Sequence, residues 1–201
     1  MISLATRGPE IVVLASGSSN RLGRNKALVK VRGTSVLGTQ LVKLSPLTGG
    51  KLSVVIPHRS PARREVLRHR AACIINPNPA GGMSNSVRRA VKCRRFSRAI
   101  LIVPVDLIAL RAADLKRMLK VWQGHPRKLI ARRLGTRGVT PAIVPKRLFS
   151  LAETITGDVG LRDLIAGLPP GERVLVKMPS ADLDIDTPQH LQAARRRFGA
   201  G

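Results

Sequence analysis

Short runs of Val, Ile and Leu alternate along this chain with longer amphipathic stretches, and that alternation constrains the fold more than any other feature. The apolar runs fall at 11–15, 52–57, 72–76, 99–105, 128–131, 142–144 and 173–177, bounded by polar or glycine-containing loops. Continuous runs of this length suit strands buried on both faces, as in parallel sheets. Apolar residues at helical spacing recur between them at 35–44, 61–69, 84–93, 112–122, 159–166 and 188–198. Strands alternating with helices predict an α/β chain, with helices layered on both sides of a mostly parallel sheet. Segments 46–50 and 168–171 read as loops rather than linkers, so residues 1–201 are expected to form a single domain.

A chain of 201 residues can bury a sizeable core. No run approaches the about 18 apolar residues that span a bilayer, and the first ten residues lack the apolar core of a signal peptide. Cys73 and Cys93 are too few for a disulfide framework, which predicts reduced thiols and a cytoplasmic protein. His58, His69, His125 and His190 show no metal-ligand spacing.

Charge is the oddity. Lys and Arg number 36 against 11 acids, a net +25. Such a balance raises nucleic acid as a partner. Two features weigh against it. Aromatic residues make up only 2% of the chain, which leaves few stacking platforms for single strands. The basic residues are also dispersed through helix-like segments, at Arg63-Arg64, Arg68, Arg88-Arg89, Arg94-Arg95, Arg132-Arg133 and Arg195-Arg196-Arg197. A solvated cationic surface is therefore preferred, one that would still draw in small anions.

Chemistry concentrates after the first apolar run, in Leu14-Ala15-Ser16-Gly17-Ser18-Ser19-Asn20-Arg21-Leu22-Gly23-Arg24-Asn25-Lys26. Gly17 and Gly23 let the backbone approach a ligand closely, and successive N–H groups in such a turn can form an anion-binding concavity. Arg21 offers a planar fork to phosphate oxygens and Lys26 a mobile point charge. Neither the P-loop nor the dinucleotide-binding glycine pattern is present. On spacing alone, a phosphate cradle and a plain glycine-serine turn remain equally open.

Two further places carry carboxylates or loop donors. Asp106 closes the run Ile100-Leu101-Ile102-Val103-Pro104-Val105 and would project from the end of a buried strand, either as a hard oxygen ligand for Mg²⁺ or as an ordinary turn or cap aspartate. Asp182, Asp184 and Asp186 share a face if their stretch is extended, while Asp186-Thr187-Pro188 also reads as a helix start. Between them, Asn76-Pro77-Asn78-Pro79-Ala80-Gly81-Gly82-Met83-Ser84-Asn85-Ser86 opens a helix whose first turn would expose N–H groups and serine hydroxyls.

The order of these segments resembles the MobA-like nucleotidyltransferases, which include the molybdenum cofactor cytidylyl- and guanylyltransferases. Leu14 to Lys26 matches the pattern L-A-x-G-x-S-x-R-x-G-x-x-K, with Ser19, Arg21, Gly23 and Lys26 in register. Asp106 matches the family's G-D-x-P strand end, although Val105 replaces the glycine and Ile108 the proline. Asp184-Ile185-Asp186-Thr187-Pro188 through Leu191 matches D-[IV]-D-T-P-x-x-L. Gly138-Val139-Thr140-Pro141 and Gly157-Asp158-Val159-Gly160-Leu161-Arg162 resemble segments on the acceptor side. The likeness runs from about residue 9 to about residue 194.

The resemblance implies a Rossmann-like sandwich of the nucleotide-diphospho-sugar transferase (GT-A) type. It implies an NTP on Leu14, Ala15, Ser16, Gly17, Ser19, Arg21 and Lys26, with base and ribose held by Asn76, Gly82, Ser84 and Ser86. Arg21, Lys26 and Asp106 are the catalytic candidates, and Asp106 and Asp186 the ligands of a Mg²⁺ cofactor. A phosphate of the acceptor would attack the α-phosphorus and release pyrophosphate, the acceptor being a molybdopterin-type molybdenum cofactor. In the family, alanine at the place of Ser16 accompanies CTP and glycine accompanies GTP; serine is closer in size to alanine, which leans toward CTP. The alternatives are GTP, another phosphorylated acceptor, or a basic nucleic-acid-binding module on the same fold.

Overall fold

The computed structural model of the chain describes residues 8–17, 25–31, 33–158, 160–182 and 189. Strand β1 (Glu10–Leu14) is followed by a short hairpin, β2 (Lys30–Val31) and β3 (Thr34–Ser35), and by helix α1 (Val36–Leu44). Then come β4 (Leu52–Pro57), α2 (Arg63–Arg68), β5 (Ala72–Asn76), α3 (Gly82–Cys93), β6 (Ala99–Pro104) and α4 (Ala112–Gly124). The last part holds β7 (Leu129–Leu134), β8 (Arg137–Pro145), α5 (Phe149–Glu153), α6 (Leu161–Gly167) and β9 (Arg173–Lys177).

Seven strands form one sheet in the order β5-β4-β1-β6-β8-β7-β9, in which β8 alone runs against its neighbours. The predicted α/β architecture with a mostly parallel sheet is the one observed. Alternate residues of the central strands feed two apolar layers. Ile11, Val13, Val54, Ile56, Leu101 and Val103 pack on the side of α1, α2 and α4. Val12, Leu14, Val55, Ile100 and Ile102 pack on the side of α3, α5 and α6. Burial on both faces is why these strands read as continuous apolar runs rather than as alternating ones. On the first side, Ser35 caps α1 by accepting from the Gly38 N–H at 2.9 Å and donates to Glu65 of α2, also at 2.9 Å.

Each expected strand is present. β8 is longer than the 142–144 expected, because its outer half carries Arg137 and Thr140 and breaks the apolar pattern. The hairpin and α5 have no counterpart among the expected elements; two residues per strand and five per helix are too few to show a period. The helix expected over 188–198 lies outside the described residues except for Gln189, which is helical. No helix among the described residues is long and apolar enough to cross a membrane.

The two-sided core generates a stability prediction. Ile102 is fully buried and Val42 is 60% exposed. Urea unfolding of Ile102→Ala should show a loss of about 2–5 kcal/mol. Val42→Ala should stay within about 0.5 kcal/mol of the parent.

Candidate active site

Chain order places the site. From β1 the chain moves outward through β4 and β5, then returns to lay β6 against the other flank of β1. The loops leaving β1 and β6 therefore diverge from adjacent strand ends, and Leu14 pairs with Pro104 there. In open α/β sheets such a switch point opens a crevice beyond the carboxyl ends of the strands.

A cleft of about 810 Å³ lies at that place. Leu14, Ala15, Gly17, Lys26, Gly82, Ser86 and Asp106, all expected at the site, line it. Val105 N–H donates to the Leu14 carbonyl at 3.1 Å, which extends the β1–β6 pairing by one step and sets Asp106 just past it. Lys26 opens a short 3-10 turn, Lys26–Leu28, capped by the Asn25 side chain, which accepts from Ala27 N–H at 3.1 Å. The Lys26 Nζ lies 3.0 Å from Asp106 Oδ2, across eighty residues of sequence. Their side chains are 14% and 23% exposed, so the pair is partly screened from water.

Behind this pair stands a buried polar knot. Asn76, at the end of β5, donates from Nδ2 to Ser16 Oγ at 3.2 Å and to Ser86 Oγ at 3.4 Å, and the two hydroxyls are 2.5 Å apart. Asn76 Oδ1 accepts from Asn78 N–H at 3.1 Å. One amide side chain thus joins the loop after β1, the loop after β5 and the first turns of α3.

Ser84 is committed elsewhere. Its N–H donates to the Gly157 carbonyl at 3.2 Å and its hydroxyl to the Thr156 carbonyl at 2.9 Å. These contacts correct the expectation that the first turn of α3 exposes its serine hydroxyls. The hydroxyls of Ser16, Ser84 and Ser86 are bonded within the protein, because each is buried and must find a partner away from water. They shape the wall of the cleft and hold the backbone that lines it.

Gly82 closes the same junction at φ +78°, and a Cβ there would stand 2.8 Å from the Gly157 carbonyl and press on the Asp158 carboxylate. Gly157 and Asp158 are thereby brought against α3, and Asp158, Leu161 and Arg162 line the cleft.

The far wall comes from the β7–β8 arm through Arg132, Leu134, Val139 and Thr140. Arg132 is a site residue that the sequence reading missed. Dispersal of Arg132-Arg133 with the other basic pairs suggests a solvated position in a helix-like segment, whereas both lie on β7. Arg133 is exposed, while Arg132 is 7% exposed and turned to the cleft. The pairing register shifts between Ala131 and Arg132, the kind of irregularity that re-aims a side chain. Placing Arg132-Arg133 on a strand, where successive side chains point opposite ways, was the signal that could have found it.

Ser19, Arg21 and Asp186 lie outside the described residues. Among the described residues no three His, Cys, Asp or Glu side chains gather as a metal cluster. Asp106 supplies one hard oxygen donor beside a cation, a donor type that fits a divalent ion shared with phosphate oxygens.

The junction at Gly82 can be tested directly. Gly82→Ala should destabilise the protein by about 1–3 kcal/mol, since it adds both backbone strain and a clash with the 157–158 backbone and carboxylate. Thermal or urea unfolding measures this, and the exposed Gly17→Ala, whose Cβ meets nothing within 4 Å, is the control.

Comparison with known proteins bears on the family and the fold. The family model described as the MobA-like NTP transferase domain matches residues 11–174. A probable molybdenum cofactor guanylyltransferase from Opitutus terrae is 31% identical over 117 residues, which is 56% of each protein. The chain therefore aligns with little more than half the length of that curated relative. A nucleotidyl transferase from Methanothermobacter thermautotroptrophicus superposes with a TM-score of 0.77 at 18% identity, covering 95% of this chain and 97% of that one. The manganese complex of Rv0371C from Mycobacterium tuberculosis superposes with a TM-score of 0.70 at 21% identity, covering 96% and 100%. The family match covers both the segment after β1 and Asp106, and over residues 11–174 it establishes that the chain belongs to the MobA-like NTP transferase family.

Proposed function

We propose that the protein transfers a nucleoside monophosphate from an NTP to an anionic phosphorylated acceptor and releases pyrophosphate. The observation that carries this reading is the Lys26–Asp106 pair, held at 3.0 Å where the ends of β1 and β6 diverge. In this reading Lys26, Arg21 and backbone amides of the loop after β1 receive the phosphate oxygens. Asp106, with Asp186, is proposed to hold Mg²⁺. When bound, such an ion neutralises charge on the phosphates as the bond to the leaving group lengthens.

An ionised acceptor phosphate needs no base to become a nucleophile. Its oxygen bonds to the α-phosphorus as the bond to the bridging oxygen breaks, and the electron pair leaves with pyrophosphate. The protein's part is to align the two anions and offset their repulsion, through Lys26 on one wall and Arg132 and Arg162 on the other. The buried Ser16–Asn76–Ser86 knot serves alignment, since it ties the phosphate-side loop to the wall proposed to hold base and ribose. Asn76, Gly82, Ser84 and Ser86 act there through the backbone they position.

The acceptor we propose is a molybdopterin-type molybdenum cofactor, and the nucleotide CTP. The lean to CTP rests on the volume of Ser16. GTP is the second reading, favoured by the guanylyltransferase relative. NTPs and a reduced, free-thiol state of Cys73 and Cys93 both suit the cytoplasm.

Pyrophosphate release, assayed with each of the four NTPs, Mg²⁺ and molybdopterin-type or simpler phosphorylated acceptors, tests the reading. Turnover with CTP supports it as stated, and turnover with GTP alone corrects the base. Asp106→Ala should lower kcat/KM on the order of 10²–10³-fold, the scale of losing one preorganised electrostatic contact. Submicromolar RNA binding in physiological salt, with no NTP turned over, would overturn the enzyme in favour of a nucleic-acid module.

A further inference from the structure

The turn that presents Asp106 is held from behind by helix α1. Its first hydrogen bond is internal: the Ile108 N–H donates to the Asp106 carbonyl at 2.8 Å. The next two come from side chains more than sixty residues away in sequence. Gln40 Nε2 donates to the Leu107 carbonyl at 2.6 Å, and Lys43 Nζ donates to the Ile108 carbonyl at 3.0 Å. Gln40 and Lys43 are three residues apart on α1 and so share a face. They grip the two consecutive carbonyls that follow Asp106.

Neither residue sits there cheaply. Gln40 is fully buried, and its Oε1 has no hydrogen-bond partner among the described residues. A half-satisfied buried amide costs about 1–3 kcal/mol relative to a satisfied one. The Leu107 carbonyl does not depend on Gln40 for satisfaction, because it also accepts from Leu110 N–H at 3.1 Å. Burial lowers the Lys43 pKa to about 8, so its charge too is held at some expense. Leucine or methionine at these positions would pack the same face of α1 without either cost. What the polar pair adds is orientation of the peptide planes after Asp106.

We propose that Gln40 and Lys43 are positioning residues that aim the Asp106 carboxylate into the cleft by clamping the carbonyls of Leu107 and Ile108. The clamp fills a gap in local stiffness: position 108 is isoleucine rather than the ring-constrained proline of the resembling pattern, so the turn is fixed by donors from a neighbouring helix. The inference rests on the proposed metal role of Asp106, and its test separates the two.

Mn²⁺ binding to the purified protein, followed by the loss of free-ion electron paramagnetic resonance signal, is measured for Gln40→Leu, Lys43→Met, Lys43→Arg and Asp106→Asn beside the parent. Asp106→Asn should abolish binding. Gln40→Leu and Lys43→Met should each weaken it about 10-fold or more, the usual cost of losing a group that orients a ligand. Their melting temperatures should stay within a few degrees of the parent, and Lys43→Arg, which keeps a donor, should recover most of the affinity. A purely structural role predicts the reverse, lower melting temperature with unchanged Mn²⁺ affinity, and that result refutes the clamp while leaving the proposed reaction standing. Should Gln40→Leu fail to fold, Lys43→Met and Lys43→Arg decide the question alone. Parent-like Mn²⁺ binding by Asp106→Asn would remove the metal role and the clamp together.

Discussion

The pairing of β1 with β6 is the constraint on which the rest of the site depends. Five residues of β1 lie in register against five of β6, from Glu10 against Ile100 to Leu14 against Pro104. That register brings the residue after Leu14 and the residue after Val105 to the same edge of the sheet. The chain after β1 goes to one flank through β4 and β5, and the chain after β6 goes to the other, so the loops leaving these two strand ends diverge. A crevice beyond these strand ends follows from sheet topology, and the sequence then puts Gly17 and Asp106 in its lining.

Polar side chains then decide how rigid the crevice is. Asn76 holds Ser16 and Ser86, Ser84 holds the 156–157 backbone, and Gln40 and Lys43 hold the turn after Asp106. All are buried or partly buried, where an unmade hydrogen bond is costly and a made one discriminates strongly between geometries. The apolar core could tolerate small slips of one element against another; these bonds are far less tolerant of them.

Among the described residues, four of the chain's eleven acids are paired with arginines. Glu10 joins Arg94 at 3.1 Å, Glu65 joins Arg68 at 2.9 Å, Asp114 joins Arg117 at 2.5 Å, and Glu172 joins Arg147. The first ties the end of α3 to β1 and the last fixes the approach to β9. The other two lie within α2 and α4, whose Glu65 and Asp114 reach outward by accepting from Ser35 and Ser180. The cations that remain in excess leave a positive field in which polyphosphates and phosphorylated acceptors are drawn toward the protein, including toward a cleft with Arg132 in its wall.

The sequence by itself determined the alternation of strands and helices, because burial on both faces writes a strand as an unbroken apolar run. It also located the loop after β1 and Asp106, since both lie directly beside such runs. What it could not contain is which loops meet. That Lys26 faces Asp106, that the serines of α3 turn inward, and that Arg132 enters the cleft while Arg133 stays in water depend on strand order, on a register shift and on contacts between residues dozens of positions apart. Local pattern records whether a side chain prefers burial; only the assembled sheet fixes which side chains share a burial site, and the chemistry of this cleft resides in that sharing.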